Sequence, residues 1–171
     1  ACGSSPNLRL DLVLNDFVFS SIIKKKIILK SSGNAWRPLI DVQDMSKAIS
    51  FFLKNYKKTI SNFEIFNVGL NKSNIKIIDL AKIVKKNFKN VKLKFENTKD
   101  DKRSYKVNFS KYELFVKNNV KHLELKDTIK NLAKNIKLLK INENNFNQFI
   151  RLDVLRKLVH TKKLNNYLKW N

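Results

Sequence analysis

Glycine is nearly missing from this sequence, which has three, at positions 3, 33 and 69. A G-x-G-x-x-G dinucleotide fingerprint or a phosphate-cradling P-loop needs at least two glycines within one short turn, so neither is encoded. A single cysteine, Cys2, excludes a disulfide framework and a cysteine-ligated metal site, and it makes a reducing, cytoplasmic setting the default expectation. The two histidines, His122 and His160, are far apart and lack ligand-type sequence neighbours, so they read as surface or boundary residues. No G-x-S-x-G elbow or Ser-His-Asp pattern is present. Long apolar runs are missing too. The longest, Ile22-Ile23 with Ile27-Ile28-Leu29, is split by Lys24-Lys25-Lys26 and falls short of the roughly 18 residues of a membrane span. Pro6, Arg9 and Asp11 interrupt any signal-peptide core. The chain begins with Ala1 rather than Met, in what reads as the inside of a loop, so a piece of a longer protein is expected.

Arginine is the scarce base. It occurs at 9, 37, 103, 151 and 156, so lysine supplies most of the net charge of +22. Such a charge suggests a nucleic-acid or polyanion-binding module as an alternative function. Arginine, however, is the base suited to bidentate phosphate and base contacts. The lysines are scattered through every predicted element together with abundant Asn and Ile. A solvated surface is therefore expected, and nucleic acid is not the expected partner.

What the chain does have is enough apolar residue, 43%, to build one core over 171 residues. Apolar spacing of three and four predicts helices over Asn7–Ile23, Met45–Tyr56 (with Asp44 as cap), Asp79–Phe88 and Leu125–Leu139. Short strands are predicted at Ile27–Lys30, around Leu39-Ile40, at Phe63–Val68 and at Val91–Phe95. Asn97–Asp101 reads as a loop, and Ser110 as the cap of a helical turn from Lys111 to Val116. Beyond Asn142 an Asn-rich linker leads to a helix near Leu152–Thr161 and a short ordered tail, Leu164–Trp170. The pattern indicates α/β or α+β and by itself names no chemistry.

Three stretches carry more. They are Gly3-Ser4-Ser5-Pro6 running on to Phe17; Trp36-Arg37-Pro38-Leu39-Ile40-Asp41-Val42-Gln43-Asp44; and Phe66-Asn67-Val68-Gly69 paired with Arg103 to Lys111. In this order and spacing the chain resembles the second half of an extended short-chain dehydrogenase/reductase of the NAD-dependent nucleotide-sugar epimerase/dehydratase family. The resemblance runs over essentially the whole chain.

It implies an α/β fold: the C-terminal part of an extended Rossmann-type enzyme, a small mixed α/β substrate-binding domain with few short strands. Residues 1–141 would form the substrate-binding half and 142–171 a C-terminal helical tail. The family's cofactor, NAD or NADP, is held by an N-terminal Rossmann half that also carries a Y-x-x-x-K catalytic pair. Neither Tyr56 nor Tyr112 has a lysine four residues on, so no catalytic residue carries over and this chain alone is expected to be inactive. The resemblance implies a nucleotide-diphosphate sugar as substrate and the Rossmann half as partner. A homodimer, common in the family, would form largely through that other half.

On the substrate side it assigns Arg37 and Arg103 to the diphosphate, Asn15 and Asp16 to the sugar-phosphate and Asn67 to the nucleotide neighbourhood. Each has a plainer reading as well. Arg37 could pair with Asp41 or Asp44, Arg103 with Asp100 or Asp101; Asn67 could be a strand-ending residue and Asn15 a polar residue on a helix face. Cys2 and Asp41 depart from the family, which commonly has Tyr and His there.

Overall fold

The computed structural model describes residues 1–55, 63–96 and 103–171. Six helices and four short strands alternate along them: α1 (Val13–Ile23), β1 (Lys26–Leu29), β2 (Trp36–Pro38), α2 (Val42–Asn55), β3 (Asn74–Lys76), α3 (Ile77–Lys86), β4 (Lys92–Phe95), α4 (Ser110–Val116), α5 (Leu125–Leu138) and α6 (Arg151–His160). β1 pairs in parallel with β4, Ile27 opposite Leu93, and β2 pairs antiparallel with β3, Arg37 opposite Ile75. The mixed α/β class with few short strands is as expected.

Most of the apolar surface is collected by α1. It is apolar nearly all round, and it packs against α3, α5 and β1. Leu14, Phe17 and Val18 meet Ile27, Leu29, Leu80, Val84, Ile129, Leu132 and Ile136 in one continuous core. A smaller cluster joins α2 to α4: Ala48, Tyr112 and Val116 are buried there, and Phe52 stacks on Phe115 with ring centroids 5.4 Å apart.

Four expectations are corrected. Helix α1 starts at Val13, not Asn7, because the backbone before it has other partners: Leu10 N–H donates to the Phe149 carbonyl (2.9 Å) and the Asn15 carboxamide donates to the Arg9 carbonyl (2.8 Å). Helix α2 is capped by Asp41, whose Oδ1 accepts from Gln43 N–H at 2.8 Å, one turn before the expected start at Met45; Tyr56 lies outside the described residues. The second strand is centred on Arg37 rather than on Leu39-Ile40, because Ile40 turns its carbonyl to Cys2 N–H (2.9 Å). Residues 63–68 keep a strand's in–out alternation but form no ladder among the described residues. Side chains take their place: Lys111 Nζ donates to the Ile65 carbonyl at 2.9 Å and Asn67 Nδ2 to the Asn108 carbonyl at 3.4 Å. The expected loop over 97–101 lies outside the described residues.

The tail is tied to the core at its beginning. Phe146 stacks on Phe19 at 5.5 Å, and α6 follows directly. Its end closes on itself through a bridge between Leu164 and Trp170.

Helix α5 supplies a direct test of where the stability resides. Leu132 is fully buried (0% exposed) and Leu138 on the same helix is 69% exposed. Leu132→Ala should lower the unfolding free energy by about 2–5 kcal/mol through lost burial and the cavity left behind. Leu138→Ala should change it by less than about 0.5 kcal/mol. Equal losses in denaturant titrations would contradict this core.

Candidate functional site

Helix α1, strands β1 and β2 and the segments beside them line one open cleft of about 640 Å3. Its floor and one wall come from α1 and the turn before it, with Asp11, Val13, Leu14, Asp16 and Phe17. The opposite wall is β2 with residues 103–105, which lie alongside it. Among the contacts that hold that wall, Trp36 N–H donates to Ser104 Oγ (3.1 Å), Tyr105 N–H donates to the Trp36 carbonyl (3.4 Å), and the Arg37 guanidinium donates to the Arg103 carbonyl. Arg37 Nη1 also donates to the Trp36 carbonyl at 2.7 Å, and its guanidinium carbon lies 5.5 Å from the centre of the Tyr105 ring. Arg37 and Arg103 therefore meet on one wall although they are 66 positions apart.

Asp41 and Asp44 make other contacts. Asp41 caps α2, and Asp44 is buried, with Oδ1 held by Lys47 Nζ (2.8 Å) and Oδ2 by Leu123 N–H (2.9 Å). Asp100 and Asp101 lie outside the described residues.

Across the cleft, Asp16 is half-buried, and its Oδ1 accepts from Ser20 Oγ at 3.2 Å. Burial pushes its carboxyl above the ordinary range, against the weaker opposing pull of the Ser20 hydrogen bond and of Lys24 and Lys30. Asp11, on the same side, is gripped by both Arg9 nitrogens (3.0 and 2.8 Å), and that hydrogen bonding holds its carboxyl below the ordinary range. The cleft thus has a cationic wall and a carboxylate wall.

Asn15 and Asn67 are placed differently. Asn15 is 1% exposed; its Oδ1 accepts from Gly3 N–H (3.0 Å) while Nδ2 donates to the Arg9 carbonyl. It fastens the N-terminal loop beneath the cleft. Gly3 sits at φ +106°, where a Cβ would come within 2.6 Å of Asp41 Oδ2, so this close approach requires glycine. Asn67 is exposed on the 63–68 segment and is not among the residues lining the cleft.

The sequence reading passed over Tyr105. The available signal was its spacing: in an extended segment residues two apart share a face, so Tyr105 follows Arg103 into the cleft. It also passed over a buried polar cluster joining α2, α4 and the loop before α5. There Tyr112 Oη lies 3.0 Å from His122 Nε2, and His122 Nδ1 lies 3.5 Å from Asp44 Oδ2. Burial, with Asp44 adding to it, pushes the Tyr112 hydroxyl up to about 12. His122 is a boundary residue with a structural partnership that no local sequence pattern announced. Cys2 is buried, its thiol pushed up to about 12 by burial first and by Asp41 second, which makes it a poor nucleophile. Among the described residues no group of three or more His, Cys, Asp and Glu side chains could hold a metal.

The unequal positions of the two asparagines predict unequal costs. Asn15→Ala leaves the Gly3 N–H and Arg9 carbonyl without their partners and should lower stability by about 2–3 kcal/mol. Asn67→Ala should cost less than about 0.5 kcal/mol. Thermal or urea unfolding of the two variants checks this, and a silent Asn15→Ala would contradict the fastening role.

Residues 7–69 match the NAD dependent epimerase/dehydratase family. Among solved structures, the chain is similar to a GDP-L-fucose synthetase from Naegleria fowleri, with a TM-score of 0.64 and 13% identity over 82% of this chain and 44% of that one. It is also similar to a UDP-glucuronic acid 4-epimerase from Bacillus cereus (TM-score 0.56, 17% identity, 80% of this chain and 42% of that one). A third is a GDP-6-OMe-4-keto-L-xylo-heptose reductase from C. jejuni, with a TM-score of 0.53 and 23% identity over 69% of this chain and 35% of that one. The chain therefore spans less than half the length of each of these structures. Residues 7–69 thus match the NAD dependent epimerase/dehydratase family, and the chain shares its fold with part of each of these enzymes.

Proposed function

We propose that this chain is the substrate-binding portion of an NAD(P)-dependent nucleotide-sugar epimerase or dehydratase, and that its cleft takes the diphosphate of the substrate against Arg37 and Arg103. The observation that carries the reading is the meeting of these two arginines on one wall, out of five in the chain. A diphosphate needs donors fixed in direction, and a guanidinium presents planar N–H groups that match its oxygens in pairs. Arg37 is held by two main-chain carbonyls and by the Tyr105 ring face, so little side-chain freedom is lost when an anion arrives. Asp16 and the rim of α1 would face the sugar. Asn15 would act as a positioning residue, through the loop it fastens. Asn67, outside the cleft, would influence the nucleotide only through the 63–68 segment.

The described residues do not fit a dinucleotide. Gly3 lies against Asp41, Gly33 against Ile78 and Gly69 against Phe109, so none of the three opens a glycine-rich turn onto a helix N-terminus. On this reading hydride transfer through a 4-keto sugar, and the acid–base tyrosine and lysine, belong to a Rossmann half that precedes residue 1. Residues 142–171 form a C-terminal helical tail, and the chain alone has no turnover. Dimerisation would rest mainly with the other half.

Arg37→Ala should weaken binding of a nucleoside diphosphate to this chain by about 1.5–3 kcal/mol, the scale of a hydrogen bond to a charged group. Isothermal titration with UDP, GDP and dTDP measures it, and NAD or NADP titrated in the same way should give no saturable heat. An affinity for diphosphates unchanged by Arg37→Ala, or tight NAD binding by this chain, would sink the proposal.

A further inference from the structure

The cleft's carboxylate wall contains an imbalance. This chain has 36 Lys and Arg against 14 Asp and Glu, so nearly every acid could find a cation. Asp11 has one in Arg9, and Asp44 has Lys47. Asp16 has none within ion-pair distance among the described residues. Its one described hydrogen bond, from Ser20, goes to Oδ1. Among the described residues Oδ2 has no hydrogen-bond partner, and no polar side-chain atom sealed from solvent goes unpaired. Oδ2 therefore opens to solvent, and Asp16 itself lines the cleft.

We infer that the cleft is built for a sugar bearing a free amino group, whose ammonium completes an ion pair with Asp16 while the diphosphate lies against Arg37 and Arg103. The inference rests on the functional reading above and narrows its substrate class. A carboxylate removed partly from water, with one neutral donor and only the longer-range pull of Lys24 and Lys30, gains most from a ligand that brings a positive charge into contact. A hydroxyl could donate to Oδ2, but it would leave the charge uncompensated. Burial, which pushes the Asp16 carboxyl upward, marks the same deficit, and a bound ammonium would draw it back down. A carboxylated sugar would set two like charges together at this wall and should be refused.

The test uses this chain with three probes titrated calorimetrically at neutral pH: UDP-glucosamine, UDP-glucose and UDP-glucuronic acid, with UDP as the common reference. UDP-glucosamine should bind about tenfold more tightly than UDP-glucose, the difference between a charged and a neutral hydrogen bond, and UDP-glucuronic acid more weakly than either. Asp16→Asn keeps the size of the side chain and an acceptor for Ser20. In it the three affinities should converge, and a cooperative thermal unfolding transition shows that the variant is folded. Equal affinities for the three probes in the unaltered chain, with UDP bound normally, would overturn this inference and leave the diphosphate reading standing. A preference for the amine that survives in Asp16→Asn would overturn it as well. Failure to bind UDP, GDP or dTDP at all would overturn both.

Discussion

Residues 103–105 lie with their main chain against β2, and the cleft exists because of that contact. It is made of few bonds. Trp36 N–H reaches Ser104 Oγ, Tyr105 N–H reaches the Trp36 carbonyl, and the Arg37 guanidinium crosses to the Arg103 carbonyl. Next to them, Val107 N–H donates to the side chain of Asn74, the first residue of β3, and Phe109 N–H to that of Asn71 in the turn before it. Residues 103–109 are thus held in register largely by side-chain acceptors. The consequence is electrostatic, because two of the five arginines line the same cleft as Asp16, a carboxylate with no ion pair among the described residues.

Much of this was legible in the sequence, for identifiable reasons. The helices with clear three-and-four spacing, α2, α3 and α5, appear within a few residues of where the spacing put them, because a packed stripe fixes the element whatever its ends do. The ends were not legible. They depend on tertiary partners such as the Phe149 carbonyl taking Leu10 N–H, which no local pattern encodes. The 63–68 segment shows the same limit from the other side: alternation records which side chains are buried, but a strand needs a neighbour, and here Lys111 and Asn67 supply the bonds a neighbour would have made. In the cleft, Arg37 and Arg103 stood out by the family-like motifs they sit in, to which the scarcity of arginine gave weight. The part played by Asn15 was hidden because burial and pairing with Gly3 follow from the fold, not from the residue type.

The lysine excess has a local use. Lys24 lies over Phe19 and Phe146, Lys111 over Phe66, and Lys106 stands 3.9 Å above the Trp36 ring. Long lysine stems cover aromatic faces while their ammonium groups stay in water. Part of the charge of +22 is in this way used in packing at the surface.

Because the chain holds five arginines, their side-chain Nε–H signals offer a direct view of the central claim, that one cleft wall grips a diphosphate with two of them. In a nitrogen-15 correlation spectrum titrated with inorganic pyrophosphate, the signals of Arg37 and Arg103 should move together along one saturating curve. Those of Arg9, Arg151 and Arg156 should stay near their starting positions. Uniform, non-saturating shifts of all five, or saturation at Arg9 and Arg151 alone, would contradict the account.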